Sequence, residues 1–368
     1  MKRKIAIVMH SESGSNSDLH ARALANHAPE GWQVVICYPP YEECLRGDLL
    51  KSGVDGVVAW TPRESVRLAV NSLVAEYGVP YFVHLEDNEK AITATHLCVP
   101  HGRIFSLRAR LRYRHLKGRA LSHPIHMERF MRGAAGVTVL MDRLLEMVPC
   151  GVRRELFWPG YDEELFGDME VWRGRDVTDG ATTLVYTGNV HPNNSDEMAT
   201  LYGAVVELNR RGRSVRLLRS GGCYDDGFAG RVVAAAPYVT DFGVVAREEL
   251  PGLLAKGDIL VQPGVADEFN EFRFPSKLPE FFASGRPVIL PVSNLGRFLS
   301  DGAEALLLYE GSVQEIADKV ELLMDTPELA ERIGRGGQRF AYENLRWGVA
   351  AERFFSFIEK GLEMASGA

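Results

Sequence analysis

Residues 272–291 read FRFPSKLPEFFASGRPVILP. Pro275, Ser276 and Lys277 open an apolar helical run, Glu280 stands one turn below the lysine, and Gly285 closes the run before the strand-like RPVILP. The pattern predicts a helix that starts at Pro275 and feeds a buried strand. Proline suits a first helical turn, where its missing N–H would have no partner. Glycine suits the left-handed residue that ends a helix. The remaining N–H groups of the first turn, at the positive end of the helix dipole, form an anion site. Lys277 adds an ammonium beside it, and Arg273 a guanidinium fork. Glu280 shares a face with Lys277, and a carboxylate one turn deeper than a phosphate site accepts hydrogen bonds from ribose hydroxyls. A diphosphate with its ribose fits this geometry. A surface Lys277–Glu280 salt bridge fits the spacing as well.

On both sides of this stretch, short β-branched runs alternate with longer helical patterns, as in parallel α/β layers. KIAIVM, WQVVICY, GVVAW, PYFVHL and GVTVLM read as strands in the first half, and TTLVYTG, VRLLRSG, DILVQPG and RPVILP in the second. Helices fall between them, among them residues 18–28, 64–77, 196–211 and 313–325. The polar stretch from Gly167 to Thr182 has no period and reads as a linker. The expected organisation is two doubly wound, Rossmann-like domains, 1–166 and 183–346, around a linker at 167–182. Ligands in such sheets sit beyond the carboxyl ends of the strands, here in a cleft expected between the domains. The final helix, RWGVAAERFFSFIEKGL, is amphipathic, with Trp347, Phe354, Phe355 and Ile358 as anchors.

Composition agrees with a globular chain: 368 residues, 46% hydrophobic and 25% charged. A net charge of −7 argues against a general nucleic-acid coat. The five cysteines, Cys37, Cys44, Cys98, Cys150 and Cys223, form no CxxC pair, which predicts free thiols in a reducing compartment. The apolar run of MKRKIAIVMH is too short for a signal peptide and reads as a first strand. No stretch approaches the ~18 apolar residues of a membrane span. The expected location is cytoplasmic, with peripheral attachment at the inner face of the membrane as an extension.

Several segments in order resemble the GT-B glycosyltransferases, specifically the family-4-like retaining enzymes. FPSKLPEFFASGRPVI is similar to their nucleotide-sugar segment, VYTGNVHPNN to the first strand and loop of their C-terminal domain, and VTDFGVVAREELPGLLAKGDILVQPG to the base-binding loop, helix and strand. GAAGVTVLMDRLL with WPGYDEELF resembles the crossover between domains. The resemblance implies that Lys277 binds the donor diphosphate and Glu280 the ribose. Pro275, Ser276, Gly188, Asn189 and Glu271 are further donor-binding candidates, and Phe242, Gly243 and Val244 would meet the base. Relatives carry a glutamate eight residues before the second one; here that position is Phe272, with Glu271 adjacent. Where relatives carry an arginine after the first C-domain strand, this loop offers Asn189, His191 and Asn193, which leaves Arg273 or Arg219 to supply the second charge. The resemblance also implies that helix 347–368 crosses back to the first domain. It implies a UDP- or GDP-sugar co-substrate, no tightly bound cofactor and no metal.

In the first half, the small residues around Gly14 and Ser15 let backbone approach a ligand, and a helix N-terminus follows. The loop resembles an acceptor-side loop; a plain strand-to-helix turn reads equally well. VPYFVHLEDNE ends a strand with His84, Glu86, Asp87 and Glu89. Similar enzymes place a histidine here against the transferred sugar, the role expected of His84; a structural histidine and a metal site are the alternatives. The segment from His101 to Gly133, including the basic stretch 103–132, carries nine Lys/Arg against one Glu. It fits an anionic acceptor, a lipid surface, a nucleic acid, or plain solvent. The implied reaction is sugar transfer from a nucleotide diphosphate to an acceptor hydroxyl with retention, in polysaccharide, glycolipid or other glycoconjugate assembly. A small natural product or nucleic acid is an alternative acceptor. A sugar-nucleotide epimerase or a non-catalytic nucleotide-sugar-binding homologue is the alternative function.

Overall fold

The computed structural model describes residues 2–46, 50–115, 120–167, 169–170, 180–267 and 270–367. Contacts divide the chain into two units. The first is Met1–Pro159 with Phe272–Phe274 and Trp347–Ala368; the second is Gly160–Glu271 with Pro275–Arg346.

In the first unit β1 (Arg3–Met9), β2 (Trp32–Cys37), β3 (Gly56–Trp60), β4 (Tyr81–Leu85), β5 (Gly136–Val139) and β6 (Arg154–Leu156) form one parallel sheet. The order is β2-β1-β3-β4-β5-β6. Strands β3 and β5 are buried along their whole length, because helices cover both faces; this is why they read as continuous apolar runs. On one face Val57, Ala59, Val83 and Val137 meet Val66 and Val70 of helix Glu64–Tyr77 and Met127 and Phe130 of helix Pro124–Arg132. On the other, Ile5, Ile7, Trp60 and Phe82 lie under Leu24 of helix Asn16–Asn26 and under Phe354, Phe355, Ile358 and Leu362 of helix Trp347–Ser366. The C-terminal helix seats closely. A Cβ on Gly56 would come within 2.9 Å of Cδ2 of Leu362.

The second unit carries β7 (Thr182–Thr187), β8 (Val215–Ser220), β9 (Val239–Asp241), β10 (Ile259–Val261), β11 (Val288–Pro291) and β12 (Leu306–Leu308). All pairs are parallel, in the order β12-β11-β10-β7-β8-β9. Strand order reverses between β7 and β10, so this is the sheet's topological switch point, beyond which doubly wound folds take their ligands. Its core joins Leu184, Tyr186 and Leu217 to Met198, Leu201 and Val205 of helix Ser195–Arg210 and to Ile316 and Val320 of helix Val313–Asp325.

The structure departs from the sequence reading at four places. The first boundary falls after Pro159 rather than at 166, because Tyr161 N–H donates to Leu345 O at 2.8 Å and Glu163 pairs with Arg346, both in the second unit. The expected linker at 167–182 lies largely outside the described residues, and Thr182 already belongs to β7. Cys37 and Cys44 are not free: they are joined in a disulfide, since the turn after β2 brings their Cα atoms to 5.8 Å, while Cys98, Cys150 and Cys223 are exposed thiols. The key helix runs only over Leu278–Ala283, with Lys277 as its N-cap. Pro279, not Pro275, takes the first-turn place where a missing N–H is harmless, so the helix-terminal anion site expected at Pro275 does not form there.

Among the described residues, no helix is long and apolar enough to cross a membrane.

Candidate functional site

Lys277 sits at the switch point of the second sheet. Its Nζ donates to Oε1 of Gln262 at 2.9 Å and to the hydroxyl of Tyr186 at 3.2 Å, and lies 4.5 Å from the centre of the Tyr186 ring. Gln262 follows β10 and Tyr186 is in β7, the two strands that flank the reversal. Gly188, just past β7, has φ 140°, a region that L side chains rarely adopt. It leaves room for the lysine. The ammonium is half-buried and held by neutral partners, so its charge remains for an anion.

Glu280 is buried at 8% exposure, and its partner is not Lys277 but Arg247, whose Nη2 stands 3.0 Å from Oε1. The plain Lys277–Glu280 salt bridge is therefore replaced by two separate sets of contacts. Burial pushes the Glu280 carboxyl above its ordinary range; Arg247 and Lys277 draw it back and Asp162 opposes them. Ser276 is exposed and Pro275 half-buried at the head of the same segment. Beyond β9, Phe242 and Val244 are 43% and 77% exposed around Gly243, whose carbonyl accepts from Gly221 N–H at 2.6 Å. Backbone thus holds this loop in place while its apolar side chains stay open to a ligand.

Other expected residues take structural roles. Arg219 is buried, bonded to Asp241 and to Gly222 O, so it braces the loops after β8 and β9 and has no face for a phosphate. Asn189 is exposed, but its Oδ1 accepts from Gly222 N–H at 2.7 Å. Glu271 pairs with Arg297 at 3.0 Å. Phe272, at the position of the missing glutamate, packs with Phe274 against the apolar core of the first unit. Arg273 belongs to that unit too, where its charge acts on Asp87.

In the first unit His84 is fully buried, with Nδ1 2.8 Å from Oγ1 of Thr138 and the ring stacked on Phe157 and tilted against Trp60. Burial lowers its pKa to about 4. Nε2 is also buried and makes no hydrogen bond. His84 is thus enclosed in the core of the first unit, as the structural-histidine alternative expects. Glu86 is buried and taken up by Ser17 and by His20 Nδ1 at 3.0 Å. Burial alone would raise its pKa, but those hydrogen bonds and the nearby histidines bring it to about 2. Half-buried Asp87 differs: burial first, then Glu86 and Glu89, push it up to about 6, against Arg273 and Arg63. Buried Glu89 meets Arg63 at 3.3 Å and Ser122 at 2.6 Å. Among the described residues no group of three or more His, Cys, Asp or Glu is arranged to hold a metal ion.

Gly14 does adopt positive φ, 90°, yet its N–H donates to Asp18 at 2.7 Å, and Ser15 caps the helix by accepting from Asp18 N–H. The loop is closed on itself, as in a strand-to-helix turn. In the basic stretch 103–132, Phe105, Leu107 and Leu111 are 48%, 73% and 52% exposed, among exposed Arg103, Arg108, Arg110 and Arg114.

Tyr186, Gln262 and Arg247 escaped the sequence reading. Gln262, a polar residue in the apolar run DILVQPG, carried the one available signal.

Residues 181–326, which contain Lys277, Glu280 and Arg247, match the family model Glycosyl transferases group 1. An alpha-D-kanosaminyltransferase of Streptomyces kanamyceticus is 26% identical over 221 residues, covering 55% of this chain and 54% of that protein. The chain thus spans about half the length of this curated relative. Among solved structures, Anabaena Alr3699/HepE in complex with UDP and glucose is similar with a TM-score of 0.67 at 13% identity, over 97% of this chain and 100% of that one. Sucrose-phosphate synthase from Thermosynechococcus elongatus is similar with a TM-score of 0.70 at 15% identity, over 100% of each chain. The fold is GT-B. Within this GT-B chain the family match falls on the half whose switch point holds Lys277.

Proposed function

We propose that the protein is a glycosyltransferase that moves a sugar from a UDP-sugar to an acceptor hydroxyl, with retention, in the assembly of a polysaccharide, glycolipid or other glycoconjugate. One observation carries the reading: the Lys277 ammonium is held at the β7/β10 reversal, against Gly188, by Tyr186 and Gln262. Sugar transfer develops negative charge on the departing diphosphate, and a fixed cation at that point stabilises it. Glu280 takes the ribose hydroxyls, the loop Phe242–Val244 the base, and the backbone at Gly188 the phosphates. In the first unit Asp87 is the carboxyl assigned to the acceptor. Retention follows the resemblance, with a leaving phosphate oxygen taking the acceptor's proton. UDP is chosen because Alr3699/HepE binds it.

A thermal-shift screen of UDP, GDP, TDP and ADP against wild type and Lys277→Ala tests this. A ligand at about 100 times its dissociation constant stabilises a fold by ~2.7 kcal/mol. UDP raising the midpoint in wild type alone supports the reading, whereas no shift with any of the four would sink it. Release of UDP from a UDP-sugar only when acceptor is added separates a transferase from an epimerase or a mere binder.

The exposed Phe105, Leu107 and Leu111 among arginines favour an acceptor presented at an anionic lipid surface. Co-sedimentation with vesicles of anionic lipid, lost in Leu107→Ser/Arg108→Glu, tests this; equal recovery with neutral vesicles refutes it.

A further inference from the structure

We infer that Arg247 is a positioning residue for the donor: its ion pair fixes the charge and the aim of the Glu280 carboxylate that takes the ribose. The inference rests on the donor-site reading above. Glu280 lies in the helix Leu278–Ala283, whose Leu278, Phe281 and Phe282 are fully buried, so its carboxylate stands at the edge of an apolar layer. A carboxylate withdrawn from water in this way takes up a proton unless a cation faces it. A protonated Glu280 turns one acceptor oxygen into a donor, which suits a pair of ribose hydroxyls less well than a carboxylate does.

Arg247 is the cation that faces it. Its Nη2 meets Oε1 at 3.0 Å. The other charges that act on Glu280 are Lys277, which favours its ionised form, and Asp162, which opposes it. Lys277 spends its own hydrogen bonds on Tyr186 and Gln262, and the Asp162 carboxylate caps the short helix Glu163–Phe166. Arg247 is itself well anchored. It opens the turn Arg247–Glu249, where Glu249 accepts from Ala246 N–H at 3.1 Å. Upstream, Phe242 N–H donates to Arg219 O at 2.9 Å, and Gly243 O accepts from Gly221. The loop assigned to the base and the carboxylate assigned to the ribose are therefore tied by one ion pair, so the two recognition elements are set together.

The test measures UDP affinity by calorimetry as a function of pH, from the ordinary carboxyl range upward, because burial raises the Glu280 carboxyl above that range. The proteins are wild type, Arg247→Ala, Arg247→Lys, Glu280→Gln and the double variant Arg247→Ala/Glu280→Gln. Arg247→Ala is expected to weaken UDP about tenfold at the acid end and to recover toward the alkaline end as Glu280 ionises, with Arg247→Lys restoring most of the loss. In the Glu280→Gln background, removing Arg247 should change affinity less than about twofold. A loss that is equal at every pH, or that persists beside Glu280→Gln, overturns the inference, because Arg247 then touches the nucleotide itself.

Unliganded thermal unfolding of the same proteins reads the pair without any nucleotide. Removing Arg247 raises the folded-state pKa of Glu280 further above its unfolded value. The variant's deficit should therefore grow as pH rises above the ordinary carboxyl range and disappear in Glu280→Gln. A pH-independent deficit refutes the pairing. If no protein binds UDP while this profile holds, the donor-site reading fails and the ion pair stands; the donor-positioning role then falls with that reading.

Discussion

A Cβ added to Gly188 would lie 2.8 Å from Cε and 3.0 Å from Nζ of Lys277. The bare glycine and the lysine are complementary: one exists so that the other can lie across the end of β7. Gly188→Ala is expected to push the ammonium off Tyr186 and Gln262 and weaken UDP binding about tenfold, equivalent to ~1.4 kcal/mol. Far-UV circular dichroism should remain that of wild type. Unchanged affinity would show that the lysine's place is not set by this glycine.

His84 makes stability depend on acidity. Its folded pKa is about 4 against an ordinary 6.5, so below the higher value the unfolded chain binds a proton that the folded chain refuses. Stability should fall as pH drops from 6.5 through 4, by on the order of 3 kcal/mol. His84→Leu should flatten that part of the profile. A variant with the wild-type slope in chemical denaturation would assign the acid sensitivity elsewhere.

Phe272→Glu introduces the carboxylate that the family resemblance would place at this position. Because Phe272 packs on the core of the first unit, the exchange should cost about 1–2 kcal/mol of stability and bring no rise in sugar transfer. A more active variant would mean that the phenylalanine merely blocks a working donor contact.

Phe354→Ala opens the interface between the C-terminal helix and the first sheet, where the ring meets Phe157 and Phe355 edge to face. Deletion of a buried ring of this kind costs about 3–5 kcal/mol. Urea unfolding followed by near-ultraviolet circular dichroism checks it, and a loss under about 1 kcal/mol would mean that the helix is only loosely seated.

Central strands were legible because both their faces are buried: GVVAW and PYFVHL become β3 and β4 almost residue for residue. Edge strands β6, β9 and β12 have three residues each, too few to show any period. Lys277 and Glu280 were legible as a pair because they are close in sequence. Their partners were not, since Tyr186, Gln262 and Arg247 arrive through the parallel crossovers of the sheet. The full burial of His84 was hidden for the same reason that β4 was legible. A strand covered on both faces hides every side chain it carries, and the sequence marks the strand without marking the end of its cover.

The C-terminal helix, residues Trp347–Ser366, closes a face of the first sheet through Phe354, Phe355, Ile358 and Leu362. A ribosome therefore makes all six strands of that unit's sheet, then the second unit, before it delivers the piece that finishes the first. Until then Ile5, Ile7 and Phe82 have no complete roof, although domains commonly mature from the N-terminus as they emerge. The second unit, begun later, is the one able to mature first.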